Sequence, residues 1–324
     1  MMPMSARSFA IALTALTALA EPVFAQAWPT QTIRLIVPFP AGGSNDVMAR
    51  LIAPHLERSL GQTVVVDNRP AAAGQVGTEA VAKAAPDGHT LLLIASSHTV
   101  RPAVAAKLPY DTEKDFAPIT LVNTNAMFFF VNPRVPANTL KEFVALAKKS
   151  PGKFNYASPG VGSQTHLTVE LLSLRTGIKL QHVPYRGGAP ATRAMIAGET
   201  EFTMLAPNVL FPLIAGGKIR PIASGAPKRH PRLPNVSTTA EQGLPNIRAV
   251  QWVGILTTAG TPRPVVERLN KEINRIIHLP EVVAQLEKQG VTPTGGTPEE
   301  FRAQISREIG EWKEVARAAK IQPF

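Results

Sequence analysis

The sequence predicts an α/β fold, and two observations carry that prediction. Short β-branched apolar runs alternate along the chain with segments whose apolar residues recur at helical spacing, as strands and helices do in packed layers. A strand, a glycine-rich loop and a helix also follow one another twice, once in each half. A helix start offers unpaired backbone N–H groups and the positive end of a dipole to an anion, so the recurrence favours one anion-sized site between two lobes.

In chain order, Ile33–Val37 is the first strand, an apolar run that ends in prolines. Gly42 and Gly43 then free the main chain to turn, Ser44, Asn45 and Asp46 offer N-caps, and a helix begins near Val47. Pro54 falls inside that helix and is expected to kink it. Residues 64–66 read as a second strand, 78–85 as a short helix closed by Pro86, Asp87 and Gly88, and Thr90–Ala95 as a third strand. Ser96 and Ser97 follow at its C-terminal end, where open α/β sheets place ligands. A new strand begins around 126–131, and a capping box from Thr139 to Glu142 opens a helix that ends near Pro151. Residues 154–157 make a short strand. Ser158, Pro159, Gly160, Val161, Gly162, Ser163 and Gln164 form the second glycine loop, which enters a helix carrying Leu167, Leu171 and Leu174. Residues 202–204 are a further strand, and the chain crosses back near 249–254. Val265, Val266, Leu269, Ile273 and Ile277 form a helix face expected to pack on the first lobe. A second capping box, Thr297 to Glu300 with Pro298 at the first helical position, starts a long final helix through Phe301, Ile305, Ile309 and Trp312.

Arg7 precedes an apolar stretch over 9–20 that is too short to span a bilayer. Ala25, Gln26 and Ala27 supply the small residues of a cleavage site, so 1–27 reads as a secretory signal. Removing those 27 residues from 324 leaves 297, and because Arg7 and Glu21 cancel, the net charge stays +11. That length sets an expectation of two domains. The chain has no cysteine, so an exported protein of this sequence must be stabilised by core burial alone.

Its 34 basic residues are scattered singly or in pairs, and only 6% of residues are aromatic, which argues against nucleic acid as a partner. No lysine follows Gly162, and Thr165 stands where the dinucleotide fingerprint needs a third glycine, so no nucleotide cofactor is expected. The seven histidines never fall at metal-ligand spacing, so no metal is expected. There is no Gly-x-Ser-x-Gly elbow and no catalytic residue is assigned. Ser158 and Ser163 read as turn residues or as donors to a ligand.

The segments from Ile33 to Asp46, Val66 to Pro70, Ala85 to Leu91, Asp115 to Pro118, Tyr156 to Ser163, His182 to Gly187 and Gln251 to Gly254 occur in order, with Tyr110 and Asp111 among them. Together they resemble the Bug family, the TctC-like substrate-binding proteins of tripartite tricarboxylate transporters, across essentially the whole mature chain. The resemblance implies a two-lobed periplasmic binding protein of type II-like architecture, with two α/β lobes joined by crossing strands and a ligand cleft between them. Lobe one would hold 28–125 plus 250–324 and lobe two 126–249, with the crossovers as hinge.

The resemblance further implies a small carboxylate held largely by main-chain N–H groups and ordered waters from the two loops. Phe39, Ala41, Gly42, Gly43 and Ser44 fall on the first loop, and Ser158, Gly162, Ser163 and Gln164 on the second. Asp46 is read as an N-cap that orients the loop, with ligand contact as the alternative. Ser96, Ser97 and Asn208 are candidates for the distal end of the ligand. The family often carries an acidic residue where this chain has Leu205, so the distal pocket is expected to differ. The function implied is capture of a small organic acid or related amide in the periplasm of a Gram-negative bacterium, by a monomer that delivers it to inner-membrane transporter subunits. A ligand sensor that presents its closed form to a membrane partner would use the same residues. An exported hydrolase would require turnover dependent on a serine or histidine.

Overall fold

The computed structural model describes residues 28–207 and 210–323, so the expected signal segment and Asn208 lie outside the described residues. The first half of the chain runs β1 (Ile33–Val37), α1 (Ser44–Leu60), β2 (Val64–Asn68), α2 (Gln75–Ala82), β3 (Thr90–Ala95), α3 (Ser97–Val104) and β4 (Phe116–Ala126). It continues through β5 (Phe128–Val131), α4 (Leu140–Lys149), β6 (Asn155–Ser158), α5 (Gln164–Thr176), β7 (Gln181–Pro184), α6 (Gly188–Ala197), β8 (Phe202–Leu205), α7 (Phe211–Ala215) and β9 (Arg220–Ser224). The last stretch is β10 (Val250–Thr258), α8 (Arg263–Ile277), α9 (Pro280–Lys288), β11 (Thr292–Gly295) and α10 (Pro298–Ala318).

These strands form two sheets, in the orders β11-β4-β10-β3-β1-β2 and β7-β6-β8-β5-β9. β1 pairs in parallel with both β2 and β3. Its residues Ile33, Leu35, Ile36 and Val37 are all buried, as a strand covered by helices on both faces requires. The two crossings lie side by side, because β4 and β10 are antiparallel neighbours with Ala126 opposite Val250. Met127 N–H donates to the Ala249 carbonyl at 2.9 Å, so the strand expected over 126–131 breaks at the crossing into β4 and β5.

α1, α8 and α9 cover one face of the first sheet, burying Met48, Ile52, Leu269, Ile273 and Leu286. On the opposite face Trp252 meets Phe301 edge-on at 5.1 Å among Ile305 and Ile309. Gly254 is needed there, since a Cβ at that position would lie 2.3 Å from the Phe301 ring. The second sheet is built around stacked Phe143 and Phe202, with ring centroids 4.3 Å apart. Trp312, Val315 and Ala316 from α10, and Val100 and Val104 from α3, join this second core. The final helix therefore spans both cores, its first half packed on one sheet and its second half on the other.

Local differences from expectation follow from capping and packing. α1 starts at Ser44 rather than near Val47, and Gly43 is its N-cap with no side-chain bond. Asp46 is thus the third helical residue and not the cap, a correction to the sequence reading. Pro54 is accommodated inside an uninterrupted 17-residue helix. α2 begins at Gln75, earlier than expected, after a 3-10 turn over Ala71–Gly74. Both bonds of the capping box at Thr297 and Glu300 are present.

Candidate functional site

A cleft of about 950 Å³ opens where the two sheets face each other. The start of α1 contributes Gly42, Ser44 and Asn45, the start of α5 contributes Gly162, Ser163, Gln164 and Thr165, and the end of β3 contributes Ser96 and Ser97. β4 and β10 add Asn123, Asn125, Gln251, Trp252 and Val253.

The two loops share one hydrogen-bond plan. In the first, Gly42 has φ +77°, Gly43 N–H donates to the Pro40 carbonyl at 3.2 Å, and Gly42 N–H donates to Asp46 Oδ2 at 2.8 Å. In the second, Gly162 has φ +72°, Ser163 N–H donates to the Gly160 carbonyl at 3.2 Å, and Gly162 N–H donates to His166 Nδ1 at 3.1 Å. Each loop thus places a left-handed glycine before the N-cap and lets the third helical side chain reach back to that glycine. The left-handed turn favours glycine because a Cβ there is strained.

This plan corrects which backbone donors are open to a ligand. The N–H groups of Gly42, Gly43 and Gly162 already have acceptors within their own loops. The N–H of His166 goes to the Ser163 hydroxyl at 3.2 Å. What remains is the first helical turn, Ser44 and Asn45 on α1 and Gln164 and Thr165 on α5, whose amides have no intrahelical acceptor and whose residues line the cleft. The unpaired donors on the cleft wall are therefore one to three residues further on than the glycines that attract attention in the sequence.

The supports beneath the loops differ in charge. Asp46 is 3% exposed and its carboxylate also meets Arg50 Nε at 3.0 Å. Burial alone would raise its pKa, and the Gly42 amide and Arg50 outweigh that effect to hold it below the ordinary 3.8. Its charge is matched by Arg50, one turn along the same helix. Under the second loop, Tyr156, His182 and His166 form a stack in which the two imidazoles are 3.9 Å apart. Burial lowers His166 to about 4, and burial together with His166 lowers His182 to about 4. Both rings are neutral at neutral pH, so His166 Nδ1 can accept from Gly162.

Ser158 is fully buried, with its hydroxyl 2.6 Å from His182 Nε2 and 3.0 Å from the Gly160 carbonyl. It braces the loop from behind and does not line the cleft. Phe39 is packed against both cores of the first sheet, and its carbonyl accepts from Asn68. Ala41 and Gly43 are on the loop but outside the cleft wall, as is Asp46. Ser96 is buried, and its hydroxyl donates to Gln164 Oε1 at 3.0 Å, while Gln164 Nε2 donates to the Val250 carbonyl at 2.9 Å. Gln164 thus reaches across the cleft to the first sheet and the returning crossover.

The sequence reading missed Asn123, Asn125, Gln251, Lys288 and Gln289 on the cleft wall. Asparagines at the end of a long strand were the available signal, because polar residues there precede a crossing. Among the described residues lining the cleft, Lys288 alone carries a charge. Among the described residues, no group of three or more His, Cys, Asp or Glu is placed to hold a metal ion, and no helix is long and apolar enough to cross a membrane.

Residues 48–321 match the model of the TctC family, described as the tripartite tricarboxylate transporter family receptor. The chain is 37% identical over 301 residues to protein BugT of Bordetella pertussis, covering 92% of each. The structure of R. palustris Rpa4515 with adipate is similar at 32% identity and a TM-score of 0.72, over 92% of this chain and 100% of that one. MatC from Rhodopseudomonas palustris with bound malate is similar at 30% identity and a TM-score of 0.68, over 89% and 99%. With paired helix starts across one cleft and a family match over most of its length, the chain belongs to the TctC family of tripartite tricarboxylate transporter receptors.

Proposed function

We propose that this chain is a periplasmic solute-binding protein that captures a small organic acid in the cleft and delivers it to a tripartite tricarboxylate-type transporter. The observation that carries the reading is the pair of helix starts, α1 and α5, whose first-turn amides face one cleft from opposite sides. Four such donors and two positive dipole ends can hold a carboxylate without a buried lysine or arginine, a cation costly to leave unpaired when the cleft is empty. Adipate and malate in the two solved relatives support the acid class. The two lobes, one on each sheet with α10 packed on both, close on the ligand by rotation about the paired crossings at Met127 and Ala249 and a bend in α10 between its two halves. The burial of Ser158 and its bonds to Gly160 and His182 support a bracing role for this serine over a nucleophilic one.

A thermal-shift screen of small organic acids tests this reading. An acid at about 100 times its Kd stabilises the native state by roughly 2.7 kcal/mol and is recovered unchanged. Absence of a shift with every carboxylate, or conversion of the acid, would sink it. Loss of uptake of the identified acid on deletion of the gene tests delivery.

A further inference from the structure

The basic residues that the sequence scatters are not shared evenly between the two sheets. The segment 126–249, which supplies every strand of the second sheet, holds 15 Lys and Arg against 5 Asp and Glu, a net charge of +10. Residues 28–125 and 250–324 together hold 18 against 17, a net charge of +1. Nearly all of the excess charge therefore sits on lobe two, and a field of one sign over one lobe orients the molecule toward an anionic partner.

Strand direction gathers part of that charge at the end of the lobe away from the cleft. β6 runs in parallel with β8, with Tyr156 opposite Phe202, and β5 ends at Val131 opposite the same Phe202. β6 leads into the glycine loop at the cleft, so the segments before β6 and after β5 lie at the far pole. Arg134 follows β5, Lys148 and Lys149 end α4, Lys153 precedes β6, and Lys179 follows α5, which starts at the cleft. Gly152 N–H donates to the Lys179 carbonyl at 2.9 Å, which ties the last two segments together. All five residues are exposed. Among the described residues, the ion pairs of this lobe are Arg175 with Glu314 and Arg229 with Glu241, and they involve none of the five. Arg134 and Lys153 line a cavity of about 360 Å³ together with Val135, Leu146 and Phe154. Glu201 is the one acidic residue described on its wall, and its Oε2 accepts from Asn155 N–H at 2.8 Å. Leu174, in the last turn of α5, is 45% exposed.

We propose that this pole of lobe two is a docking surface for a bilayer of anionic phospholipid, which holds the protein at a membrane with its cleft turned away from the lipid. The inference takes the exported location from the function proposed above and does not depend on the carboxylate clamp. Four of the five cations are lysines, point charges on flexible stems with no fixed partner geometry. Such charges match a fluid array of phosphate headgroups better than the fixed carboxylates of a protein interface, which arginine forks read. Leu174 and the apolar wall of the cavity supply the contact below the headgroups that an amphipathic surface makes. Because the pole lies opposite the cleft, docking leaves both helix starts clear for ligand.

The test is co-sedimentation of the exported protein with vesicles, either of phosphatidylcholine alone or of phosphatidylcholine and phosphatidylglycerol in equal parts. At low ionic strength the wild type is expected to partition onto the phosphatidylglycerol vesicles about 10-fold or more better, and to come off as salt rises. Lys148→Gln, Lys149→Gln and Lys153→Gln combined should weaken that partitioning by about 10- to 100-fold. A control combining Lys107→Gln, Lys271→Gln and Arg302→Gln removes the same charge from the first lobe and should change it by less than about 3-fold. All six residues are exposed, so both variants fold and keep the wild-type affinity for acids. Equal losses in the two variants, or equal partitioning of the wild type onto both kinds of vesicle, would overturn the docking pole. Capture by phosphatidylcholine vesicles carrying the transporter's membrane subunits, with no binding to bare phosphatidylglycerol vesicles, would overturn it in favour of an acidic protein partner. Failure of every acid to bind would overturn the solute reading and leave the vesicle result standing.

Discussion

The loop at 40–46 and the loop at 160–166 have the same backbone bonds and opposite supports. In each, a glycine at φ +77° or +72° precedes the N-cap and donates its N–H to the third residue of the helix. That third residue is an ionised aspartate paired with arginine in the first loop, and a neutral histidine stacked on a second histidine in the other. The shared bonds leave the same first-turn residues, Ser44 and Asn45 on α1 and Gln164 and Thr165 on α5, on the cleft wall. The difference shows that the geometry needs an acceptor at that position and does not need a charge. A neutral acceptor beside one helix start leaves its positive end uncompensated, whereas the aspartate beside the other requires Arg50 to cancel its field.

The largest expected effect tests the claim that first-turn amides hold the ligand. Ser44→Pro deletes one N–H at the first helical position, where proline is well tolerated, and the extended Gly43 at ψ 167° suits a residue before proline. Calorimetry with the acid found by the screen should show affinity lower by about 10- to 100-fold, as for a lost hydrogen bond to a charge, and Ser44→Ala should show little change. Equal affinities in the two variants would break the clamp.

Next in size, Asp46→Ala leaves the Gly42 amide without its acceptor and Arg50 without its ion pair, with only Asn68 as partner. Urea unfolding is expected to show a loss of about 1–3 kcal/mol, the cost of one orphaned part-buried donor. A matching His166→Ala variant should cost a comparable amount at pH 7 if the acceptor, and not its charge, is what matters.

Acid should separate the two supports. His166 and His182 titrate at about 4 in the folded chain against an ordinary 6.5, so the unfolded chain binds more protons between those values. The stability these rings contribute is complete above about pH 6.5 and is lost as pH falls toward 4. Asp46, held below 3.8, keeps its contribution until more acid conditions. Glu170, beside the stack, is raised by burial and acts in the opposite sense. The informative quantity is therefore the difference in melting temperature between wild type and His166→Phe, which should shrink on acidification from pH 7 to 4. A difference independent of pH would refute the neutral-histidine support.

The smallest effect concerns the caps. Ser163 accepts from His166 N–H, whereas Gly43 caps α1 with no side chain. Ser163→Ala should destabilise by about 1 kcal/mol, measured by urea unfolding, as for other lost N-caps.

Much of this was legible in the sequence because it is local. The glycine pair after a β-branched run and the Thr297 capping box are settled within a few residues, where turn and cap chemistry act, whereas the caps of α1 and α5 fell on Gly43 and Ser163 rather than on the residues expected. The alternation of strands and helices likewise predicted layered α/β architecture. The identity of the open amides was not legible, since Gly42 and Gly162 look like donors until Asp46 and His166 are seen folding back on them. Ser96 looked free for a ligand because its partner, Gln164, is 68 residues away. The final helix looked like part of one lobe, although Trp312 and Val315 enter the second core.

By itself, then, the sequence determined two helix starts suited to an anion, because capping and glycine conformation depend on neighbours along the chain. The tertiary structure decided that both starts line one cleft, which amides remain unpaired there, and that Asn123, Asn125 and Lys288 share its wall. Those outcomes depend on hydrogen-bond partners and strand register set between distant segments, and no local pattern encodes them.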